Sequence, residues 1–238
     1  MLARGLRRVK PASGAGDPYF SNVSLLLHGD GTNGSTTFTD NSPSPKTLTV
    51  LGNAQISTTQ KKYGTGSMKF DGSGDYARTP SSTALQFGTG DLTAECWVYR
   101  TAVGNLPGFF QISTNTNGLQ SSATNTIAAG ITTGGTEVVM YAKNAFNVSA
   151  SAAGTALNTW IHFAVVRSSG TTKLYVNGTA VITVASDTTN YTGTYLAVGG
   201  LYSTNNLLTG YIDDLRITKG VARYTADFTP PTQAFPDA

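Results

Sequence analysis

Asn158 to Val184 reads NTWIHFAVVRSSGTTKLYVNGTAVITV, and the fold follows from this stretch. From Trp160 to Arg167, β-branched and aromatic residues place apolar side chains on both faces of a strand, the pattern of a strand buried between two layers. Ser168-Ser169-Gly170 supplies turn chemistry before Lys173 to Val176. Asn177-Gly178 then stands where a two-residue hairpin needs positive φ at both central positions. The stretch therefore predicts three consecutive antiparallel strands. A meander cannot bury both faces of its first strand alone, so a second sheet must pack on it at about 10 Å.

Working outward, the run Leu25-Leu26-Leu27 reads as another buried strand. Short strands follow at Thr47 to Leu51, Ser67 to Phe70, Tyr76 to Thr79 and Leu92 to Tyr99, with Gly, Ser, Asn and Pro between them. Phe109 to Ile112, Thr126 to Ile131 and Val138 to Tyr141 predict a further meander. Tyr195 to Gly199 and Leu208 to Thr218 close the set. Asn115 to Asn125 reads as a polar loop. After Thr218 comes an extended Pro-containing tail that cannot join a central ladder. No helical period and no 20–50-residue repeat is visible. The expected class is all-β, a jelly-roll sandwich of two antiparallel sheets, with Trp97, Trp160, Phe163, Val165, Leu174 and Val176 in its interior.

Residues 1–18 read as a basic arm with a small-residue linker from Pro11 to Gly16, and 19–238 as the sandwich. Charged residues are only 12% of the 238, against about 25% in ordinary soluble domains, so the surface is solvated by Ser, Thr, Asn and Gly. The formal charge of +3 divides unevenly. Arg4, Arg7, Arg8 and Lys10 stand in the first ten residues without an acid, leaving 12 Lys+Arg against 13 Asp+Glu, a net of −1, in the rest. That body lacks the basic stripe phosphate contacts need, so no nucleic-acid partner is expected. The arm reads either as a disordered tail, as termini commonly are, or, through its four cations, as a partner-binding tail that orders on an acidic neighbour, a shell protein or a sister subunit. One cysteine, Cys96, excludes an intrachain disulfide and fits a small buried residue. No run approaches the ~18 apolar residues of a membrane span, and the first residues lack a signal peptide's apolar region.

The motif W-x-H-x-A at Trp160, His162 and Ala164, followed by L-Y-V-N-G from Leu174 to Gly178, resembles the laminin-G-like branch of the concanavalin A-like lectin/glucanase jelly rolls. LLLHGDGTNGSTTFTD (Leu25 to Asp40), GSMKFDGSGDYA (Gly66 to Ala77) and LTAECWVY (Leu92 to Tyr99) fit that family's early strands. GYIDDLRITKGVARY (Gly210 to Tyr224) resembles its closing strand. The resemblance spans roughly residues 20 to 235 and is more specific to fold than to function. The ends, PYFSNVSLLLHGDG and VARYTADFTPPTQAFP, resemble modules of tailed-phage structural proteins. What this implies is a non-enzymatic virion surface protein, a phage capsid decoration or tail appendage that docks on the particle and displays a lectin-like domain. The alternative is a carbohydrate-binding adhesin for host glycans.

A glycoside hydrolase ranks third. Its chemistry needs two carboxylates about 5 Å or about 6.5–9.5 Å apart, and the only glutamates, Glu95 and Glu137, lie on unrelated segments. Asp213 and Asp214, being adjacent, are expected on opposite faces of a strand. His28 and His162 read as rim or core histidines, and no nucleophile elbow or phosphate loop is present. The chain reads as not an enzyme. Asp30, Asp71 and Asp75 stand beside glycines, where aspartate usually forms turns. The family resemblance adds one structural Ca²⁺ at the sandwich edge, with Asp213 and Asp30 as its ligands, since hard carboxylate oxygens suit Ca²⁺. For carbohydrate the resemblance names no positions, although Tyr141, Tyr191, Tyr195 and Tyr202 lie in or near loop-rich segments.

Overall fold

A computed structural model describes residues 16–119, 126–142, 146–201 and 203–238. Among the described residues the strands are β1 (Val23–Leu27), β2 (Thr49–Leu51), β3 (Gln55–Ser57), β4 (Ser67–Asp71), β5 (Tyr76–Arg78) and β6 (Leu92–Arg100). Then come β7 (Gly108–Ser113), β8 (Ile127–Ile131), β9 (Glu137–Ala142), β10 (Phe146–Ser151), β11 (Trp160–Ser168), β12 (Thr171–Val176) and β13 (Thr179–Val184). The last are β14 (Tyr195–Val198), β15 (Gly200–Leu201), β16 (Ser203–Leu207) and β17 (Thr209–Lys219). Single 3-10 turns occupy Phe20–Asn22 and Thr83–Leu85.

Two antiparallel sheets form the expected sandwich. One runs β13-β12-β11-β6-β17-β4-β3 with β1 also pairing β17, and the other β10-β9-β8-β7-β14-β5-β2. The stretch that decided the fold is placed as read: β11 lies between β6 and β12 with Ile161 to Arg167 buried. Both of its turns have positive φ at two positions, Ser169 (48°) with Gly170 (77°) and Asn177 (48°) with Gly178 (83°), as tight hairpins require. At Gly178 there is a second constraint, because a Cβ would lie 1.8 Å from the Phe228 carbonyl oxygen.

Between the sheets Leu25, Leu27, Phe70, Val98, Phe109, Phe163, Val165, Leu196 and Ile217 interlock in one core. Trp97, Phe163, Val165, Leu174 and Val176 are buried as expected. Trp160 is not. It opens β11 on the outer side and stays half-buried, tilted on Tyr99 with ring centroids 5.4 Å apart, because nothing further covers that end of the strand as it does His162 and Ala164.

The outer face of the eight-stranded sheet is covered by the tail. Residues 221–238 cross it as a strap: Ala222, Tyr224 and Phe228 pack on Ala164, Val166 and Tyr175, and Phe235 packs on Val23 and Leu26. The Phe228 amide donates to the Gly178 carbonyl (2.9 Å) and the Tyr63 hydroxyl to the Pro231 carbonyl (2.6 Å). At the strap's end the Asp17 amide donates to the Ala238 carbonyl (2.5 Å). Asp17 is buried, so the folded body takes in a residue that the sequence assigned to the arm.

Strand β17 changes register between Asp213 and Arg216, and Asp214 has φ 48°. Ile212 and Leu215 both face the core, so the two aspartates between them both turn outward. The expectation that adjacent aspartates take opposite faces fails here, since a β-bulge interrupts the alternation on which it rested.

Candidate functional site

Beneath the strap lies a buried ionic network. Strand β6 supplies Glu95, β11 His162 and β17 Arg216, all on the outer face of neighbouring strands. Glu95 Oε1 accepts from Arg216 Nη2 (2.7 Å) and Nε (3.0 Å), and Oε2 from the Tyr224 hydroxyl (2.8 Å). His162 Nε2 stands 3.4 Å from Oε2, a looser contact that leaves both ring nitrogens without a hydrogen bond among the described residues. Asp17 Oδ2 accepts from Arg223 Nη2 (2.6 Å) and lies 3.3 Å from Arg216 Nη1. Burial pushes the Glu95 carboxyl up, but Arg216 and His162 outweigh it and hold the carboxyl at about 2. Burial likewise opposes ionisation of Asp17, and the Arg223 hydrogen bond turns the balance downward.

These carboxylates hold the strap. Glu95 has no access to a substrate, and Glu137 lies on the other sheet, where it accepts from Ser149 Oγ (3.2 Å). The sequence singled out neither Asp17 nor Arg223, and missed the Glu95–Arg216 pair. The signal was there: a glutamate in TAECWVY and an arginine in IDDLRITK are each flanked by apolar residues, and a buried charge needs a partner.

The aspartates serve the same kind of purpose. Asp75 Oδ2 accepts from the Asp71 amide (2.9 Å) and Asp71 Oδ1 from the Ser73 amide (2.7 Å), the turn-forming role read from sequence, and Asp75 Oδ1 also accepts from the distant Asn53 amide (2.7 Å). Asp30 Oδ1 accepts from the Thr65 amide, the Thr65 hydroxyl (2.8 Å) and the Gly66 amide (3.3 Å). Asp213 Oδ2 accepts from the amides of Lys62 (2.6 Å) and Tyr63 (3.1 Å). The two residues therefore pin one loop from two sides. Burial raises the Asp213 carboxyl to about 7 against those two amides.

As a Ca²⁺ site this donor set fits only in part. The Asp30 oxygen turned to the loop already takes three donors and Asp213 Oδ2 takes two, whereas Asp213 Oδ1 is buried without a hydrogen-bond partner among the described residues. Among the described residues no three Asp, Glu, His or Cys side chains converge as metal ligands would.

His28 is the other meeting point. Its Nδ1 lies 2.5 Å from Asp214 Oδ1 and its Nε2 2.7 Å from Asp237 Oδ1. With a carboxylate at each nitrogen, the ring donates twice as an imidazolium. Burial works against that charge, yet the bonds to Asp214 and Asp237 outweigh it and raise His28 to about 9. A groove of about 290 Å³ opens beside it, lined by His28, Asp30, Thr39, Asn41 and Asp237.

Arg4, Arg7, Arg8 and Lys10 lie outside the described residues, as do Tyr202 and residues 120–125 of the expected polar loop. Tyr191 is buried and donates to Asp187 Oδ2 (2.8 Å), so it cannot stack on a ligand. Tyr141 and Tyr195 are half-buried on the outer side of the seven-stranded sheet. No helix among the described residues is long and apolar enough to cross a membrane.

Among solved structures, the chain is similar to the binding domain of botulinum neurotoxin serotype D/C (17% identity, TM-score 0.62), covering 85% of this chain and 50% of that one. It is similar to the binding domain of Paraclostridial Mosquitocidal Protein 1 (13%, TM-score 0.61), covering 85% and 50%. A third likeness is domain 4 of AbnA, a GH43 extracellular arabinanase from Geobacillus stearothermophilus solved with arabinotriose (15%, TM-score 0.60), covering 84% and 94%. The chain thus spans about half the length of the toxin domains it matches. No curated protein matches it in sequence. The family model described as Concanavalin A-like lectin/glucanases superfamily matches residues 71–223, which run from the end of β4 into the strap. With that match over more than half of its length and the two-sheet sandwich around it, the chain belongs to the concanavalin A-like lectin/glucanase superfamily.

Proposed function

We propose that this protein is a non-enzymatic, lectin-like binding module carried on a virion surface, a phage capsid decoration or tail appendage. The observation that carries the binding reading is the engagement of the buried carboxylates. Glu95, Asp17, Asp213 and Asp214 hold the strap and the loop at 62–66. The surface hollows carry Ser, Thr and Asn side chains together with lysines, aspartates and apolar residues. The hydroxyls and amides among them can hold a polyol, and neither glutamate lines any of the three hollows. The likeness to domain 4 of AbnA, solved with arabinotriose, supports the same reading.

The virion part rests on the two end segments that resemble tailed-phage modules. They are one structural unit: Asp17 pairs with Arg223, Phe20 and Val23 pack near Phe235, and His28 holds Asp237. The basic arm with Arg4, Arg7, Arg8 and Lys10 departs beside this unit and is the docking element, drawn to an acidic shell protein or sister subunit, where several exposed ion pairs together bias association.

Fractionation of particles tests it. The full chain should copurify with phage heads or tails, high salt should weaken the association, and a chain beginning at Gly16 should melt like the full chain yet fail to incorporate. Recovery in neither fraction overturns the virion reading. The second reading, an adhesin for host glycans, is favoured by the binding-domain neighbours and is separated by a glycan array, on which a pure docking protein stays silent.

A further inference from the structure

The strap leaves one part of the outer face open. Between its first residues and the β11–β12 hairpin lies a hollow of about 220 Å³. Val166 forms its floor, and Ser168, Thr171, Lys173, Tyr175, Tyr224 and Thr225 line it.

Each wall has a defined chemistry. Tyr224 is held rigid: its ring stacks on Phe228 at 3.5 Å between centroids and 5° between planes, and its hydroxyl is bonded to Glu95. Tyr175 lies on the outer side of β12, and its hydroxyl is buried with no hydrogen-bond partner among the described residues. A buried hydroxyl without a partner is uncommon and calls for one. Lys173 is the one cation lining the hollow, and no carboxylate lines it. Among the described residues its ammonium makes only a long contact with the Thr225 carbonyl (3.4 Å). The neighbouring Arg223 is unavailable, since Asp17 takes both its terminal nitrogens.

We infer that this hollow binds one carboxylate-bearing sugar residue of an acidic polysaccharide. Lys173 pairs with the sugar carboxylate, the Tyr175 hydroxyl and the Ser168, Thr171 and Thr225 side chains bond its hydroxyls, and the ring's apolar face lies toward Val166 and Tyr224. The volume is below the roughly 300–1,000 Å³ of sites that enclose drug-sized ligands. It suits a single pyranose with the rest of the chain lying across the surface. The inference rests on reading the protein as a glycan-binding module and names the charge class and the place.

The test is calorimetric titration of the full chain with oligosaccharides of galacturonate, glucuronate, mannuronate and N-acetylneuraminate, each against a neutral counterpart. At least one acidic series should bind and its neutral counterpart should not, with affinity falling as salt rises. Lys173→Gln should weaken binding at least tenfold and Tyr175→Phe several-fold, both at an unchanged melting temperature. Unchanged affinity in both variants overturns the placement while leaving a glycan-binding module. Equal binding of acidic and neutral sugars overturns the charge class. No binding to any acidic or neutral glycan removes the inference together with the reading beneath it.

Discussion

Arg100 and Arg167 point inward at opposite ends of the same core, each at the end of an antiparallel neighbour, β6 and β11, and only one of them has an acid to face. Arg167 Nε lies 3.7 Å from Asp187 Oδ2, and its other nitrogens donate to the carbonyls of Thr189 and Asp187. Arg100 donates to the carbonyls of Gly135 and Thr155 and has no carboxylate within ion-pair distance among the described residues. Burial accordingly depresses the Arg100 pKa. Taking a charge out of water costs several kcal/mol unless a counter-charge repays it, whereas stranding one partner of a buried pair costs about 3–5 kcal/mol. Arg100→Met should therefore melt at or above the parent and Arg167→Met far below it. Equal losses in thermal denaturation would refute the distinction.

Glu95 joins strap to sheet, so Glu95→Gln should cost about 3 kcal/mol or more by leaving Arg216 under-compensated. Its carboxyl, held at about 2 against an ordinary 4.5, contributes stability that is complete above pH 4.5 and is lost as pH falls toward 2. Urea midpoints across that window should drop steeply for the parent and less for the variant. Parallel acid limbs would show that Glu95 is not the linked group.

His28 acts at the other end of the scale. Raised to about 9 from 6.5, it stabilises fully below pH 6.5 and loses this contribution as pH rises through 9. The shift is worth roughly 2–3 kcal/mol once the exposure of Asp237 is allowed for. His28→Gln should flatten the decline in melting temperature between pH 6.5 and 9.5. If the variant declines as steeply as the parent, the imidazolium does not hold the strap.

Aromatic truncation separates the two faces of β11. Phe163 is 1% exposed and lies tilted on Phe109 with ring centroids 4.3 Å apart, so Phe163→Ala should cost about 3–5 kcal/mol. Trp160→Ala, at a half-buried position, should cost less than half as much. Comparable losses would return Trp160 to the core.

Chelation addresses the aspartates. Because Asp30 and Asp213 are engaged by loop amides, EDTA should leave the melting temperature unmoved. A drop that added Ca²⁺ reverses would reinstate a stabilising ion, by about 2.7 kcal/mol at a hundredfold excess over Kd.

The sandwich was legible wherever local signals agreed. Ser169-Gly170 and Asn177-Gly178 carry their own turn geometry, and the apolar run from Ile161 to Val166 announces burial on both faces without knowledge of any partner. Short edge strands such as β3 and β10 carry few apolar residues and take their shape from the strands they pair with. The site was less legible because its bonds cross the chain. Asp17 and Arg223 are separated by 206 positions, Glu95 and Arg216 by 121. Nothing local distinguishes an aspartate that anchors a distant strap from one that closes its own turn, as Asp71 does.

The bulge at Asp213 and Asp214 divides β17 into two segments that are out of phase with each other. The first, through Ile212, pairs with β4, and the second, from Leu215, pairs with β1 on the same edge. One strand thereby accommodates two shorter ones end to end, each with its own hydrophobic rhythm. Removing either aspartate would bring the halves into step with Leu215 and Ile217 still facing the core, and one outward carboxylate would remain where there are now two. The strand would keep its neighbours and lose either the tie from Asp213 to the Lys62 and Tyr63 amides or the tie from Asp214 to His28 and the Phe235 amide.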